Sequence, residues 1–192
     1  MLNDADIEKM FVDSGAKLQG HFLLTSGKHS DQYMQCAQIL KNPLYTERLA
    51  RYIAEKYEDQ KVGLVLGPAM GGVILAYEVA RQLKVEGIFC ERESGKMALR
   101  RGFEIKPGQR VLVVEDVITT GGSLREAMEV VRQHGGIVVG VAVLVDRSGG
   151  REEFGVKKEA VMTMDITAWE EESCPLCKEG KIPAVKPGSR SL

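Results

Sequence analysis

Residues 111–114 are an unbroken apolar run, and Glu115-Asp116-Val117-Ile118-Thr119-Thr120-Gly121-Gly122-Ser123 follow it directly into a helix-forming segment. The two carboxylates repel a phosphate, but they accept hydrogen bonds from sugar hydroxyls. Thr119, Thr120 and Ser123, with the successive backbone N–H groups of Gly121 and Gly122, offer donors at a helix N-terminus, a place suited to a phosphate. A sugar phosphate satisfies both halves at once. The plainer alternative is an acidic strand end followed by an ordinary turn and a Ser cap.

A second glycine-bearing turn, Gly67-Pro68-Ala69-Met70-Gly71-Gly72, lies between another apolar run and another helical pattern. Small residues there let backbone amides reach a second anionic group. A third segment, Glu91-Arg92-Glu93-Ser94-Gly95-Lys96-Met97-Ala98-Leu99-Arg100-Arg101-Gly102-Phe103, carries four cations on a polar stretch with two glycines. Read as a mobile loop, it closes over a diphosphate and stabilises the charge that develops on a leaving group. Its alternative is a solvated charged hairpin.

Competing motifs are absent. No two glycines are separated by one residue, so a G-x-G-x-x-G fingerprint cannot occur, and no Gly-Lys pair is followed by Ser or Thr. None of His21, His29 and His134 begins an H-E-x-x-H motif, and no Ser lies in G-x-S-x-G.

The elements that position these loops follow from periodicity. A capped amphipathic helix is expected from Asn3 or Asp4 to Gly15, and residues 21–40 read as a strand, a turn at 26–30 and a second strand. Asn42-Pro43 opens a helix with Leu49, Tyr52, Ile53 and Tyr57 on one face. From residue 62 onward, apolar strands (62–66, 87–91, 110–114, 137–145) alternate with helical stretches. Strands without polar alternation, separated by helices, indicate a parallel sheet covered on both faces. The expected fold is a single α/β domain over 1–192, with a mainly parallel five-stranded sheet. A small N-terminal hood spans 1–42, the core 62–168 and an extended tail 170–192, where three of the six prolines fall.

Composition sets the class. The chain has 192 residues, 44% hydrophobic and 28% charged, with a net charge of -1, which gives no electrostatic case for nucleic acid as a partner. Its longest apolar stretch, residues 137–145, is less than half of the roughly 20 residues a spanning helix needs. The acidic opening Met1-Leu2-Asn3-Asp4-Ala5-Asp6 carries no apolar targeting region, so a cytoplasmic protein is expected. Four cysteines are too few for a disulfide scaffold. Cys174-Pro175-Leu176-Cys177 has the spacing of half a zinc ribbon, but there is no second C-x-x-C, and nothing in the sequence ties Cys36 or Cys90 to it. A plain turn with two thiols outweighs a zinc site here.

The 115–123 run closely resembles the signature for phosphoribosyl diphosphate (PRPP) in the type I phosphoribosyltransferases. Phe22-Leu23-Leu24-Thr25-Ser26-Gly27-Lys28-His29-Ser30, the E-R-x-x-x-K pattern of Glu91, Arg92 and Lys96, and Leu144-Val145-Asp146-Arg147 together resemble the orotate phosphoribosyltransferases over residues 20–150. The chain departs from the usual pattern where Glu93 and Ala98 replace a Lys and a His, and where Glu115 replaces the first Asp of the acid pair, which marks a divergent branch.

The resemblance implies transfer of ribose 5-phosphate from PRPP to orotate, with Mg²⁺ as cofactor. It assigns Glu115 and Asp116 to the ribose hydroxyls and to catalysis, residues 117–123 to PRPP with 119–123 on its 5-phosphate, and residues 67–72 to the diphosphate. It assigns Arg92 and Lys96 to catalysis and PRPP contact; because the chain departs from the pattern here, Lys96 is expected to carry the main loop contact, with Arg100 or Arg101 replacing the lost cations. Lys28, Tyr33, Met34, Thr119 and Arg147 are assigned to orotate, and a homodimer whose cationic loop serves the neighbouring subunit is implied. A transferase for another base and a PRPP-sensing regulator are the rivals.

Overall fold

In the computed structural model, residues 2–24 and 26–187 are described. Thr25 of the quoted hairpin motif and residues 188–192 of the expected tail lie outside them. Helix α1 (Asp4–Asp13) begins at Asn3, whose side chain accepts from Asp6 N at 2.8 Å. Strands β1 (Lys17–Leu23) and β2 (His29–Met34) form a separate two-stranded antiparallel sheet. The second strand of this hairpin stops earlier than expected, because residues 36–40 turn into the short helix α2 (Cys36–Leu40) and bury Ile39 and Leu40. Helix α3 (Pro43–Glu55) opens as read, with Asn42 as cap and Pro43 at the first position.

The core follows as β3 (Leu64–Pro68), α4 (Gly71–Leu83), β4 (Glu86–Glu93), β5 (Lys96–Leu99), β6 (Arg110–Ile118), α5 (Gly122–Gln133), β7 (Ile137–Asp146) and β8 (Lys158–Thr163). The sheet order is β5-β4-β3-β6-β7-β8. Six strands stand where five were expected: five run parallel and β5 pairs antiparallel to β4 at one edge. Strand β5 lies within the stretch read as a loop. Ser94 (φ 50°) and Gly95 (φ 84°) make a two-residue turn with both residues left-handed, the geometry that folds two strands back on each other, and Ser is not a common signal for it.

Period-two alternation splits the sheet between two cores. Val65, Leu112, Val114 and Leu144 pack toward α3 and α4, while Leu64, Leu66, Val111, Val113 and Val143 pack with Leu124, Ala127, Met128 and Val131 of α5. Each such fully buried aliphatic contributes about 1.5–3 kcal/mol. The sheet is therefore a rigid platform from which the loops at its carboxyl edge project. The tail is less extended than its prolines suggest: it forms α6 (Pro175–Glu179), then pairs Val185 with Phe22 of β1, while Trp169 pairs with His29 of β2. No helix among the described residues is long and apolar enough to cross a membrane.

Candidate active site

Strand β6 carries its acidic pair to the carboxyl edge of the sheet, where ligands of open α/β folds sit. Glu115 is only 7% exposed. The Asp116 amide donates to Glu115 Oε1 at 3.2 Å, and the Val117 amide to Asp116 Oδ1 at 2.8 Å. Burial pushes both carboxyls above their ordinary range, and the neighbouring Asp116 adds to the shift at Glu115. Such a pair gains from any ligand that brings hydroxyl donors or positive charge.

Beyond it the chain turns through Thr119 and Thr120 into α5. Gly121 is the N-cap residue, left-handed at φ 68°, with no capping side chain, so the first-turn amides of α5 are not capped by a side chain from their own chain. A Cβ on Gly121 would lie 2.7 Å from the Phe154 ring, so the position accepts no larger residue without a shift. Arg125 stacks on that ring at 4.6 Å. Arg92 and Glu126 join Glu115 and residues 117–124 around an open cleft of about 230 Å³.

The 67–72 turn meets the acid pair directly. A Cβ on Gly71 would fall 2.4 Å from Asp116 Oδ1, and one on Gly67 would fall 2.3 Å from the Gly72 carbonyl oxygen. Only glycine permits these approaches. The Ala69–Met70 peptide is cis, Ala69 N donates to Cys90 O at 2.7 Å, and Met70 is 87% exposed.

The cationic segment is a hairpin rather than a free loop. Arg92 reaches across to Glu126 at 2.9 Å and donates to Gly95 O, Arg100 lies 3.4 Å from Glu93, and Arg101 pairs with Glu91 at 3.1 Å. Lys96 has no carboxylate partner among the described residues, and it lines an adjoining groove with Gly95, Met97 and Glu126 instead of the cleft. Of the four cations, the structure brings only Arg92 into the cleft of its own chain.

On the other side of the acid pair lies Arg147. Its backbone N–H donates to Ile118 O at 2.9 Å, and its Nε is buried without a hydrogen-bond partner. Burial lowers its pKa, against the opposing influence of Tyr33 and Cys36 nearby. Tyr33 and Cys36 belong to the hood, and Cys36 Sγ donates to Asp116 O at 3.5 Å, which ties the hood to the strand ends. Met34 is buried in the core beneath them. Lys28 pairs with Glu170 of the tail at 2.8 Å.

Three contributors went unread. Glu126 anchors Arg92, and its place on α5, opposite a β4 side chain, leaves no local signal. Cys36 was read only as a thiol. Fully buried Asp146 accepts from Ser148 Oγ at 2.5 Å and from Lys158 Nζ at 2.7 Å, fixing the strand end that carries Arg147. Its position beside Arg147 was a usable signal.

The chain matches the phosphoribosyl transferase domain family over residues 35–175. It is 55% identical over 191 residues to the orotate phosphoribosyltransferase of Desulforamulus reducens, covering 100% of both chains. It is 59% identical over 174 residues to that of Caldanaerobacter subterraneus subsp. tengcongensis, covering 91% of each. Among solved structures it resembles the orotate phosphoribosyltransferase of Aeropyrum pernix, with a TM-score of 0.64 and 30% identity, over 82% of this chain and 93% of the other.

Proposed function

The chain belongs to the phosphoribosyltransferase family, among the orotate phosphoribosyltransferases, and on that premise we propose that it transfers ribose 5-phosphate from PRPP to N1 of orotate, releasing diphosphate and orotidine 5'-monophosphate. The observation that carries the reading is the pairing of an uncapped helix N-terminus with an acid pair on β6, one strand from a buried, unpartnered Arg147 Nε. The first two suit a sugar phosphate, and the third suits a planar carboxylate such as that of orotate.

Each group has one task in this reading. The amides and hydroxyls of residues 119–123 hold the 5-phosphate, and Glu115 and Asp116 accept from the ribose hydroxyls. The carboxylate pair also stabilises the positive charge that builds on the anomeric carbon as the diphosphate departs. Residues 67–72 hold the diphosphate through backbone amides, and Arg92 faces its charge from β4. Arg147 and Thr119 orient the orotate, with Lys28 and the Tyr33–Met34 backbone of the hood bordering its pocket. No covalent nucleophile is required.

Magnesium fits this donor set: the adjacent carboxylates of Glu115 and Asp116 at the strand end are hard oxygen acceptors whose mutual repulsion a nearby cation would offset. When bound, Mg²⁺ offsets the charge of the departing diphosphate, held mainly by the oxygens of PRPP. In this reading the protein is cytoplasmic and acts as a homodimer, in which Lys96, outside its own cleft, serves the site of the neighbouring subunit with Arg100 or Arg101 in support.

The test is the loss of orotate absorbance on mixing with PRPP and Mg²⁺, with a metal-free control. Metal-dependent loss is expected. PRPP binding without turnover of orotate would move the assignment to another base or to a regulator.

A further inference from the structure

Away from the cleft, two histidines of the hood meet two cysteines of the tail. Among the described residues, the ligand atoms of His21, His29, Cys174 and Cys177 all lie within 4.8 Å of one another. Three of the four residues are buried: His21 is 2% exposed, His29 5% and Cys174 0%. The Cys174 and Cys177 sulfurs are 3.6 and 3.5 Å from His21 Nε2, and Cys177 Sγ is 3.1 Å from His29 Nδ1. We propose that these four side chains bind one zinc ion, which clamps the tail onto the β1–β2 hairpin.

The distances fit the ion. Zn–S bonds of about 2.3 Å and Zn–N bonds of about 2.0–2.1 Å in a tetrahedron separate neighbouring ligand atoms by about 3.3–3.8 Å. The sulfur–nitrogen contacts to His21 already have that spacing. His21 Nε2 and His29 Nδ1, at 2.7 Å, are at hydrogen-bond distance and need to part by about 0.6 Å to admit the metal.

The ring orientation is set as well. His21 Nδ1 lies 2.8 Å from the Ile182 carbonyl oxygen, so it carries the proton and donates, leaving the Nε2 lone pair aimed at the cluster. A backbone carbonyl behind a ligating imidazole is a common second support of a zinc ligand. Two sulfurs and two nitrogens in tetrahedral array favour zinc over magnesium, calcium or square-planar metals. On binding, the two cysteine S–H bonds give way to S–Zn bonds and two protons pass to solvent, with no electron transferred.

The site completes the half-ribbon of Cys174 and Cys177 from an unexpected direction. The missing ligands come not from Cys36 or Cys90, which donate to Asp116 O and Gly67 O elsewhere, but from a strand and a strand start 145 or more residues earlier. The backbone pairs His29–Trp169 and Phe22–Val185 flank the cluster on either side, so the ion joins two chain segments that already lie in register. A bond across so long a loop removes much conformational freedom from the unfolded chain.

The experiment is elemental analysis of the reduced protein purified without added zinc and dialysed, followed by replacement with Co²⁺. About one zinc per chain is expected, with the tetrahedral d–d and thiolate charge-transfer absorption of an S₂N₂ cobalt site. Cys177→Ser, at the half-exposed ligand, is expected to weaken metal affinity at least about tenfold. Chelation is expected to lower Tm, with zinc but not magnesium restoring it. Substoichiometric zinc together with no tetrahedral cobalt spectrum would overturn the proposal, as would a Cys174–Cys177 disulfide in the metal-free protein as isolated. The first two measurements need no variant, so they stand even if the substitution unfolds the chain.

Discussion

Gly71 lies so near Asp116 that a methyl group on its Cα would sit 2.4 Å from the carboxylate oxygen Oδ1. The turn proposed to hold diphosphate and the strand end proposed to hold ribose are thus in contact before any ligand arrives. A substrate carrying both groups on adjacent atoms requires that closeness.

Gly71→Ala forces the turn or the Asp116 carboxylate to move. A displacement of about 1 Å at reacting groups is enough to lose about 10²-fold in rate, so kcat/KM for PRPP is expected to fall by at least that factor. The control is Gly63→Ala, whose nearest neighbour to an added Cβ is 3.7 Å away, and it should stay within about twofold. Steady-state kinetics with circular dichroism on both variants decides the matter. Equal activity would show that the contact does not set the site.

Much of this site is legible along the chain, and the limits have physical causes. The 115–123 run announces itself because an apolar strand, two acids and small residues at a helix start are all local features. The Gly71–Asp116 approach joins a helix start and a strand end 45 residues apart, and no local pattern encodes it. Strand β5 was read as loop because Lys96 and the preceding charges make a solvated edge strand look like any polar stretch. The zinc ligands divide similarly: Cys174 and Cys177 share a spacing, whereas His21 and His29 are brought to them only by the folding of the tail.

Glu115→Gln separates stability from function. Burial, and then Asp116, raise the Glu115 pKa in the folded state. The folded protein therefore binds that proton more tightly than the unfolded chain does. The favourable contribution is complete below the unfolded carboxylate value of about 4.3 and is lost as pH rises toward the raised value. The amide, which never ionises, should then stabilise the ligand-free protein increasingly as pH rises past about 4.3, by about 1–2 kcal/mol, or about 3–6 °C in Tm, near pH 7. The gain should shrink toward zero near pH 4. PRPP affinity is expected to fall about 10- to 100-fold, because a charged acceptor for ribose is lost. Melting curves from pH 4 to 8 with PRPP titration calorimetry check both signs, and a Tm difference independent of pH would count against the repulsive pair.

Arg147→Ala tests the orotate side alone. Losing a charge-assisted bidentate contact costs about 3 kcal/mol, so the orotate KM should rise about 10²-fold. The Kd for PRPP should not change, since Arg147 is not among the residues that line the cleft proposed to hold PRPP. Arg147→Lys is expected to rescue little, because an ammonium cannot present the planar fork. Matching losses for both substrates would move Arg147 from substrate contact to general support of the strand end.

Lys96→Ala and Asp116→Asn test whether one subunit completes the site of another. Lys96 lies outside the cleft lined by Glu115 of its own chain, although Glu126 borders both that cleft and the groove of Lys96. Each variant alone is expected to lose at least about 10²-fold in kcat. If the cation acts across a dimer, a heterodimer of the two variants contains one site with both residues intact and one with neither. Random exchange then makes about a quarter of all sites whole, and mixing two inactive proteins should restore about a quarter of wild-type activity. Activity that stays at the level of the separate variants after proven subunit exchange would confine Lys96 to its own chain, and would require the hairpin to swing past Glu126 to reach the diphosphate.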